Sequence, residues 1–380
     1  MTYKLSDICI FPKGKIEVAK LNEETYISTE NMIPNRGGIV SASGLPAIEA
    51  TQAFEKGDVL VSNIRPYFKK IWKATFNGGC SNDVLVFRAK DDVSQDFLYY
   101  VLADDQYFNY ATATSKGTKM PRGDKVAIMQ YAVPDISYEE QSKIASVLRS
   151  IDQKIELNRE INHNLQQQAQ LLYEHLLDGD ITRHRLGDIL TLLKDGTHNP
   201  PKRLEKGIPL ITGQTLSNGF ISYEKMTYIA ESDYQTIHKT YQPIENDLIL
   251  TKIGTVGKVA ILRNSDLPIA VHCNSALLRF NSNIISQQWG FFLLNSSAFG
   301  IELRKKVTNT VQDFVSLGHL ADIIITLPPA EVIKRYDGYF KTILETLSNN
   351  DFENRRLAML RDALLPKFMS GEIDVSEVEL

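Results

Sequence analysis

Nearly every segment of the first half of this sequence has a counterpart in the second. The run KLSDI at Lys4 returns as RLGDI at Arg185, GDVLVSNIRP at Gly57 as NDLILTKIG at Asn246, and CSNDVLVFR at Cys80 as CNSALLRF at Cys273. VPDIS ahead of Gln141 matches LPPAE ahead of Val332, and LLDGDI at Leu176 matches FMSGEI at Phe368. The offset drifts from about 181 to about 194 residues, as in a duplicated unit whose surface loops have changed length. Each copy begins with a mixed region of roughly 135–145 residues, rich in short β-branched and aromatic runs such as DVLVF and DIIIT, and ends in one long helical segment.

The helical segments carry the clearest pattern. Ile144, Leu148, Ile151, Ile155, Asn158, Asn162, Leu165, Ala169, Leu172 and Leu176 are spaced alternately four and three, a heptad seam. A shift of 192 residues gives Tyr336, Phe340, Ile343, Leu347, Asn350, Asn354, Leu357, Arg361, Leu364 and Phe368. Both asparagines recur in register, and only Ala169 to Arg361 breaks the seam outright. Such a seam must be covered, either by the other helix, as we expect, or by each helix packing on its own arm. The asparagines either fix register or mark a wet widening of the coil. Pro134 and the capping-box spacing Ser137-x-x-Glu140 mark the first helix start, and Pro328 and Pro329 the second. Gly179 and Gly371 stand where C-terminal caps are expected, and Pro366 should kink or loosen the last turns.

Two similar arms joined by two similar helices imply an internal pseudo-twofold, with antiparallel helices keeping the arms apart. From Ile144 to Leu176 the rise is about 48 Å at 1.5 Å per residue, comparable to roughly 14 base pairs of duplex. That suits a split DNA target with an unread spacer. The expected fold is α/β (α+β), divided as 1–136, 137–179, 180–327 and 328–380, arm and helix in alternation. A net charge of −4 argues against coating DNA by bulk electrostatics but leaves room for local basic patches. Cys9, Cys80 and Cys273 form neither a zinc motif nor a disulfide framework. With no long apolar run or leader pattern, a cytoplasmic protein without membrane association is expected.

QSKIASVLRSIDQKIELNREINHNLQQQAQLLYEHL and RLAMLRDALLPKFMSGEI resemble the central and distal conserved regions of Type I restriction–modification specificity subunits. GDVLVSNIRP, NDLILTKIGTVGK and LKDGTHNPPK look like pieces of their target-recognition domains. The resemblance implies two target-recognition domains, each reading half of a bipartite site on double-stranded DNA. It implies an antiparallel helical spacer that docks two modification (methyltransferase) subunits, with restriction (motor-nuclease) subunits joining them. S-adenosylmethionine, ATP and Mg would then belong to those partners, with no cofactor, metal or catalytic residue in this chain. One departure is KVTNTVQDF in the second arm, where a more glycine-rich loop would be expected.

Catalytic motifs fail on inspection. Asn199-Pro200-Pro201-Lys202 is like the Asn-Pro-Pro-aromatic signature of amino-methyltransferases, but Lys202 cannot stack on a flipped base and no cofactor loop precedes it. Gly254-Thr255-Val256-Gly257-Lys258 lacks the spacing of a phosphate loop and reads better as a tight strand connection. The seven histidines offer no metal-ligand spacing. Two other readings stay open: a stand-alone DNA adenine methyltransferase, and a coiled-coil scaffold that binds proteins rather than DNA.

DNA contact requires Lys and Arg at phosphates, and Arg, Lys, Asn, Gln or Thr at base edges. In the first arm the candidates are Arg65, Lys69, Lys70 and Lys73, interleaved with Tyr67, Phe68 and Trp72, and then Lys116, Thr118, Lys119, Arg122 and Lys125. In the second they are Thr197, His198, Lys202 and Arg203, then Lys252, Thr255 and Lys258, then Arg304, Lys305, Lys306, Thr308 and Asn309. Each alone also suits a solvated surface; as clusters they are expected on the DNA side. The neighbouring aromatics are expected in the core.

Overall fold

The apolar runs of the first arm become strands buried on both faces. In a computed structural model, which describes residues 2–197, 201–309 and 312–375, the arm is built around strands β1 (Cys9–Ile10), β2 (Val59–Ser62), β3 (Ile71–Lys73) and β4 (Val84–Ala89). They form an antiparallel sheet in the order β1-β4-β2-β3. Val59, Val61, Leu85 and Phe87 pack toward helices α1 (Gln95–Ala103) and α2 (Asp105–Ala113). The alternate residues Leu60, Val84 and Val86 pack with Ile27, Phe54 and Cys80 from a second, mixed sheet. Two buried faces explain why DVLVF shows no polar alternation. Thr2–Lys4 pairs with Ala132–Pro134, bringing the start of the arm to the residues that lead into the long helix α3 (Tyr138–His175).

The second arm repeats this plan. Strands β5 (Leu190–Asp195), β6 (Leu248–Thr251), β7 (Val259–Ile261) and β8 (Ser275–Phe280) form an antiparallel sheet in the order β5-β8-β6-β7. Leu248, Leu250, Ala276 and Leu278 pack with helices α4 (Gln287–Leu294) and α5 (Ser297–Lys306), while Ile249, Ala260 and Leu277 face Ile211, Ile221 and Val271. Thr182–Arg185 pairs with Ile324–Leu327 just before the second long helix, α6 (Ala330–Ser370).

One polar device recurs in both arms. Arg88 donates from Nε and Nη2 to the buried Asp58 carboxylate at 2.7 and 2.8 Å, and Arg279 donates to the buried Asp247 with the same two distances. Each carboxylate also caps a turn, accepting the N–H of Glu55 or Ile244. The bidentate fork ties the turn before the second sheet strand to the end of the fourth.

Chain contacts separate two compact units, Met1–Leu157 with Glu353–Leu380, and Asn158–Phe352. The units divide each long helix in its middle, so they cut across the arm-and-helix division expected from sequence. In the first unit Ile144 and Leu148 of α3 share one core with Phe97 and Val101 of the arm and with Leu365 and Phe368 of α6. In the second, Tyr173 of α3 packs against Trp289 of the arm and Phe340 of α6, with Ile343 and Leu347 in the same core. Helix–helix and helix–arm packing, set out above as alternatives, are therefore one core in each unit.

The pairing is antiparallel within each unit. In the first, Asp152 meets Arg361 at 2.7 Å and Lys154 meets Glu353 at 3.5 Å; in the second, Asn162 meets Asn350 and Tyr173 meets Phe340. Every seam position is buried or half-buried. Asn350 donates to the Asn162 side-chain oxygen at 2.8 Å, and Asn162 donates to the Leu347 carbonyl at 3.1 Å, so these two asparagines are joined directly. Ser137 and Glu140 form the reciprocal cap, each accepting the other's N–H.

One helix-end expectation fails. Gly179 does not take the left-handed φ of a cap, because α3 ends at His175 in a tapering turn, whereas Gly371 does so at +71°. Helix α6 runs through Pro366 to Ser370. Leu365 and Phe368, on either side of the proline, are buried in the core of the first unit, and that packing holds the last turns.

Candidate nucleic-acid interface

In the first arm the connection between β2 and β3 lies against the segment 116–122. The Arg65 N–H donates to the Pro121 carbonyl at 2.8 Å, the Arg65 Nη2 reaches the Lys119 carbonyl at 3.4 Å, and Lys116 and Arg122 exchange backbone hydrogen bonds. This joins the two basic clusters read from the sequence. Lys116, Thr118, Lys119, Arg122 and Lys125 are exposed along it. Lys116 pairs with Asp124 at 2.5 Å and holds its carboxyl below the usual range, and Arg122 pairs with Asp83 at 3.1 Å.

The second arm has the same construction. The Gly254 N–H donates to the Asp313 carbonyl at 2.9 Å, and the Val315 N–H to that of Lys252 at 2.9 Å. The β6–β7 connection thereby joins the hairpin Thr308–Asn309/Asp313–Phe314. Thr255 and Lys258 are exposed on this turn, Arg304 and Lys305 at the end of α5, and Thr308 on the hairpin, while Lys306 is half-buried. Lys305 pairs with Glu302 at 2.6 Å. The glycines of the phosphate-loop look-alike form a tight turn in which Thr251 takes the Lys258 N–H on its hydroxyl, with φ of +78° at Gly254 and +97° at Gly257. Lys202 and Arg203 are exposed, and Thr197 is half-buried and pairs with His272. His198, Asn199 and Pro200 lie outside the described residues, as does the side chain of Asn309.

Several other candidates are engaged within the protein. Lys252 is only 2% exposed, with its ammonium 3.1 Å from Asp195 and over the Phe314 ring, so it supports the turn from inside. Lys73 is bound to Asp96, which also takes Arg149, and burial followed by the Arg149 charge pushes its pKa down. Lys70 donates to the Thr29 carbonyl at 2.5 Å, and burial lowers its pKa too. Lys69 pairs with Asp105 at 2.8 Å. Lysines in a short strand pattern read as surface charge; tertiary pairing decides otherwise.

The aromatics divide. Trp72 packs in the core against Phe54 and Phe76, whereas Tyr67 and Phe68 are 48% and 38% exposed. The sequence reading also passed over Asn35 and Arg36, whose N–H groups donate to the Phe68 and Lys69 carbonyls at 2.9 Å each. Their only signal was the NRGG loop sequence.

Comparison with known proteins agrees with this duplicated architecture. The family model described as Type I restriction modification DNA specificity domain matches residues 1–167 and 179–361, one match per copy. The chain is 26% identical to the Type I restriction enzyme MjaIX specificity subunit of Methanocaldococcus jannaschii, over 86% of this chain and 79% of that protein. It is 24% identical to the HindI specificity subunit of Haemophilus influenzae, over 98% and 99%. The fold matches the crystal structure of a Type I restriction–modification S subunit from M. genitalium, with a TM-score of 0.58 at 19% identity over 97% of this chain and 96% of that one. With both halves matched by the same model, this chain belongs to the family of Type I restriction–modification DNA specificity proteins.

Proposed function

We propose that this chain is the specificity subunit of a Type I restriction–modification complex, reading a bipartite site on double-stranded DNA with one half-site per arm. The observation that carries the reading is the twice-built surface: the same four-strand sheet, in each arm, fuses the turn after its second strand to a second basic loop. Lys116, Thr118, Lys119, Arg122, Thr255, Lys258 and Lys305 are the residues offered to phosphates and base edges. The paired helices set the unread spacer, and their outer faces dock two modification subunits and, through them, restriction subunits. Methyl transfer and cleavage belong to those partners, together with S-adenosylmethionine, ATP and Mg; this chain supplies orientation. Among the described residues no helix is long and apolar enough to cross a membrane, and a complex that works on DNA is expected in the cytoplasm.

The test is genome-wide adenine-methylation mapping in a host carrying the modification subunit, with and without this chain. A split motif that appears only with the chain is expected. An active modification subunit in stable complex with the chain, yet no new motif, would sink the reading. Exchanging residues 185–327 for those of a relative should then change one half-site alone, and that identifies which half belongs to which arm.

A further inference from the structure

Among the described residues, six non-glycine residues have positive φ, and four of them gather at one place: Asn35, Arg36, Arg65 and Lys69. Arg65 and Lys69 flank the short turn Pro66–Phe68, and Asn35 and Arg36 grip its far side through the carbonyls of Phe68 and Lys69. Arg36 and Lys69 are in turn fixed on the single carboxylate of Asp105. Burial alone would raise that carboxyl, but the two cations hold it low. All of this machinery presents two adjacent exposed rings, Tyr67 and Phe68, with centroids 4.8 Å apart.

The second arm shows that the turn does not require such a build. Its turn is one residue shorter: Gly254 stands in register with Arg65, and Gly257, like Lys69, comes two residues before the return strand, and both glycines take positive φ, +78° and +97°, without a Cβ penalty. The second-arm turn carries Thr255 and Val256 and no aromatic ring. Left-handed arginine and lysine, together with two solvated aromatic rings, all work against folding. Features of that kind persist where the site uses them.

The surroundings indicate the ligand. Lys119 is exposed on the loop bonded to Arg65, and Lys116, Arg122 and Lys125 follow on the same segment. Paired rings inside a basic rim match nucleic acid, whose thymine methyls and base faces are apolar while its rim is phosphate. We infer that the Tyr67–Phe68 knuckle is a specificity-determining element of the first arm, making apolar contact with bases of that arm's half-site, and that the second arm reads its half-site without one. This inference rests on the function proposed above.

The test uses the complete complex with its modification subunit, and a duplex carrying the motif found by methylation mapping. Tyr67→Ala with Phe68→Ala should weaken binding to that duplex about tenfold, or make the first-arm half-site degenerate at one or more positions. The second half-site, the spacer, the melting curve and the association with the modification subunit should stay as they were. Tyr67→Phe keeps the ring and should keep the motif. A double variant with wild-type motif and affinity overturns the inference while leaving the proposed function intact. Loss of modification-subunit binding overturns it in favour of a protein-docking surface. Equal loss at both half-sites assigns the rings a general role and also overturns it. If the wild-type complex yields no split motif, the functional reading falls and takes the inference with it.

Discussion

The two arms agree in what is buried and differ in what is presented. Both have the same strand order, the same Asp–Arg fork at 2.7 and 2.8 Å, and serine caps on α1 and α4. At the turn after the second sheet strand they part: a strained aromatic knuckle in one, a glycine turn in the other. A scaffold repeated in its polar detail, carrying tips that differ in their rings and glycines, is what the proposed reader of two unlike half-sites requires. On that proposal function sits in the tips, and stability in the fork and the core.

The sharpest contrast lies in the helix pair. Arg361 breaks the seam where its counterpart is Ala169, and its partner Asp152 stands where the other copy has Leu344. The first unit thus holds an ion pair, with the Tyr100 hydroxyl donating to Asp152 at 2.9 Å, where the second has Ala169 and Leu344 in one apolar core. Asp152→Leu alone leaves the Tyr100 hydroxyl unpaired and the largely buried Arg361 guanidinium with Asp362 as its one carboxylate, and should destabilise the first unit by about 3 kcal/mol. Asp152→Leu with Arg361→Ala, which imports the second unit's solution, should recover all but about 1–2 kcal/mol of that loss. Trp72 reports the first unit and Trp289 the second, so denaturation of single-tryptophan variants reads each separately. If the double variant is as unstable as the single, the two copies are not interchangeable at this layer.

Acid should separate the units next. All seven histidines, His163 to His319, lie in the second. His238 is buried between the rings of Tyr234 and Tyr241, and burial pushes its pKa down to about 4. His272 is lowered too, first by burial, with the Arg203 charge adding to it. The unfolded chain takes up the proton near pH 6.5, while the folded unit refuses it until near pH 4. Stability from neutral His238 is therefore complete above pH 6.5 and is lost as pH falls toward 4, by roughly 3 kcal/mol at most. Urea midpoints taken with Trp289 between pH 7 and 4.5 should fall, and His238→Phe should flatten the decline. A steeper decline at Trp72 would locate the acid sensitivity in the wrong unit.

The duplication, the helices and their seam were legible because repeats and a 3.5-residue period survive in one dimension. The joining of the Arg65 turn to the Lys119 loop was half visible, as two basic clusters with no sign that they touch. The pairing of Lys252 with Asp195 and of Lys73 with Asp96 was hidden because a lysine shows its charge in sequence but not the aspartate that meets it from another element. The division of each long helix between two units, and the shared core of helix and arm, depend on contacts far apart in the chain. The knuckle was illegible for a different reason: left-handed turns announce themselves through glycine or asparagine, and arginine and lysine give no such signal.

That last point yields the smallest effect and the most direct test of the comparison. Arg65→Gly removes a left-handed side chain, a relief of about 1–2 kcal/mol, against which the freer unfolded chain sets about 0.5–1 kcal/mol. The first unit should therefore be unchanged or up to about 1 kcal/mol more stable, despite losing the Arg65 hydrogen bond to the Lys119 carbonyl. The reciprocal Gly254→Ala meets nothing within 4 Å, so its cost of about 1 kcal/mol in the second unit comes from φ alone. Opposite signs for equivalent positions, read as melting shifts of the two units, would mean that the first arm keeps its arginine against its own stability. A first unit destabilised by Arg65→Gly would instead make Arg65 part of the scaffold, and the two turns would then differ in packing rather than in what they read.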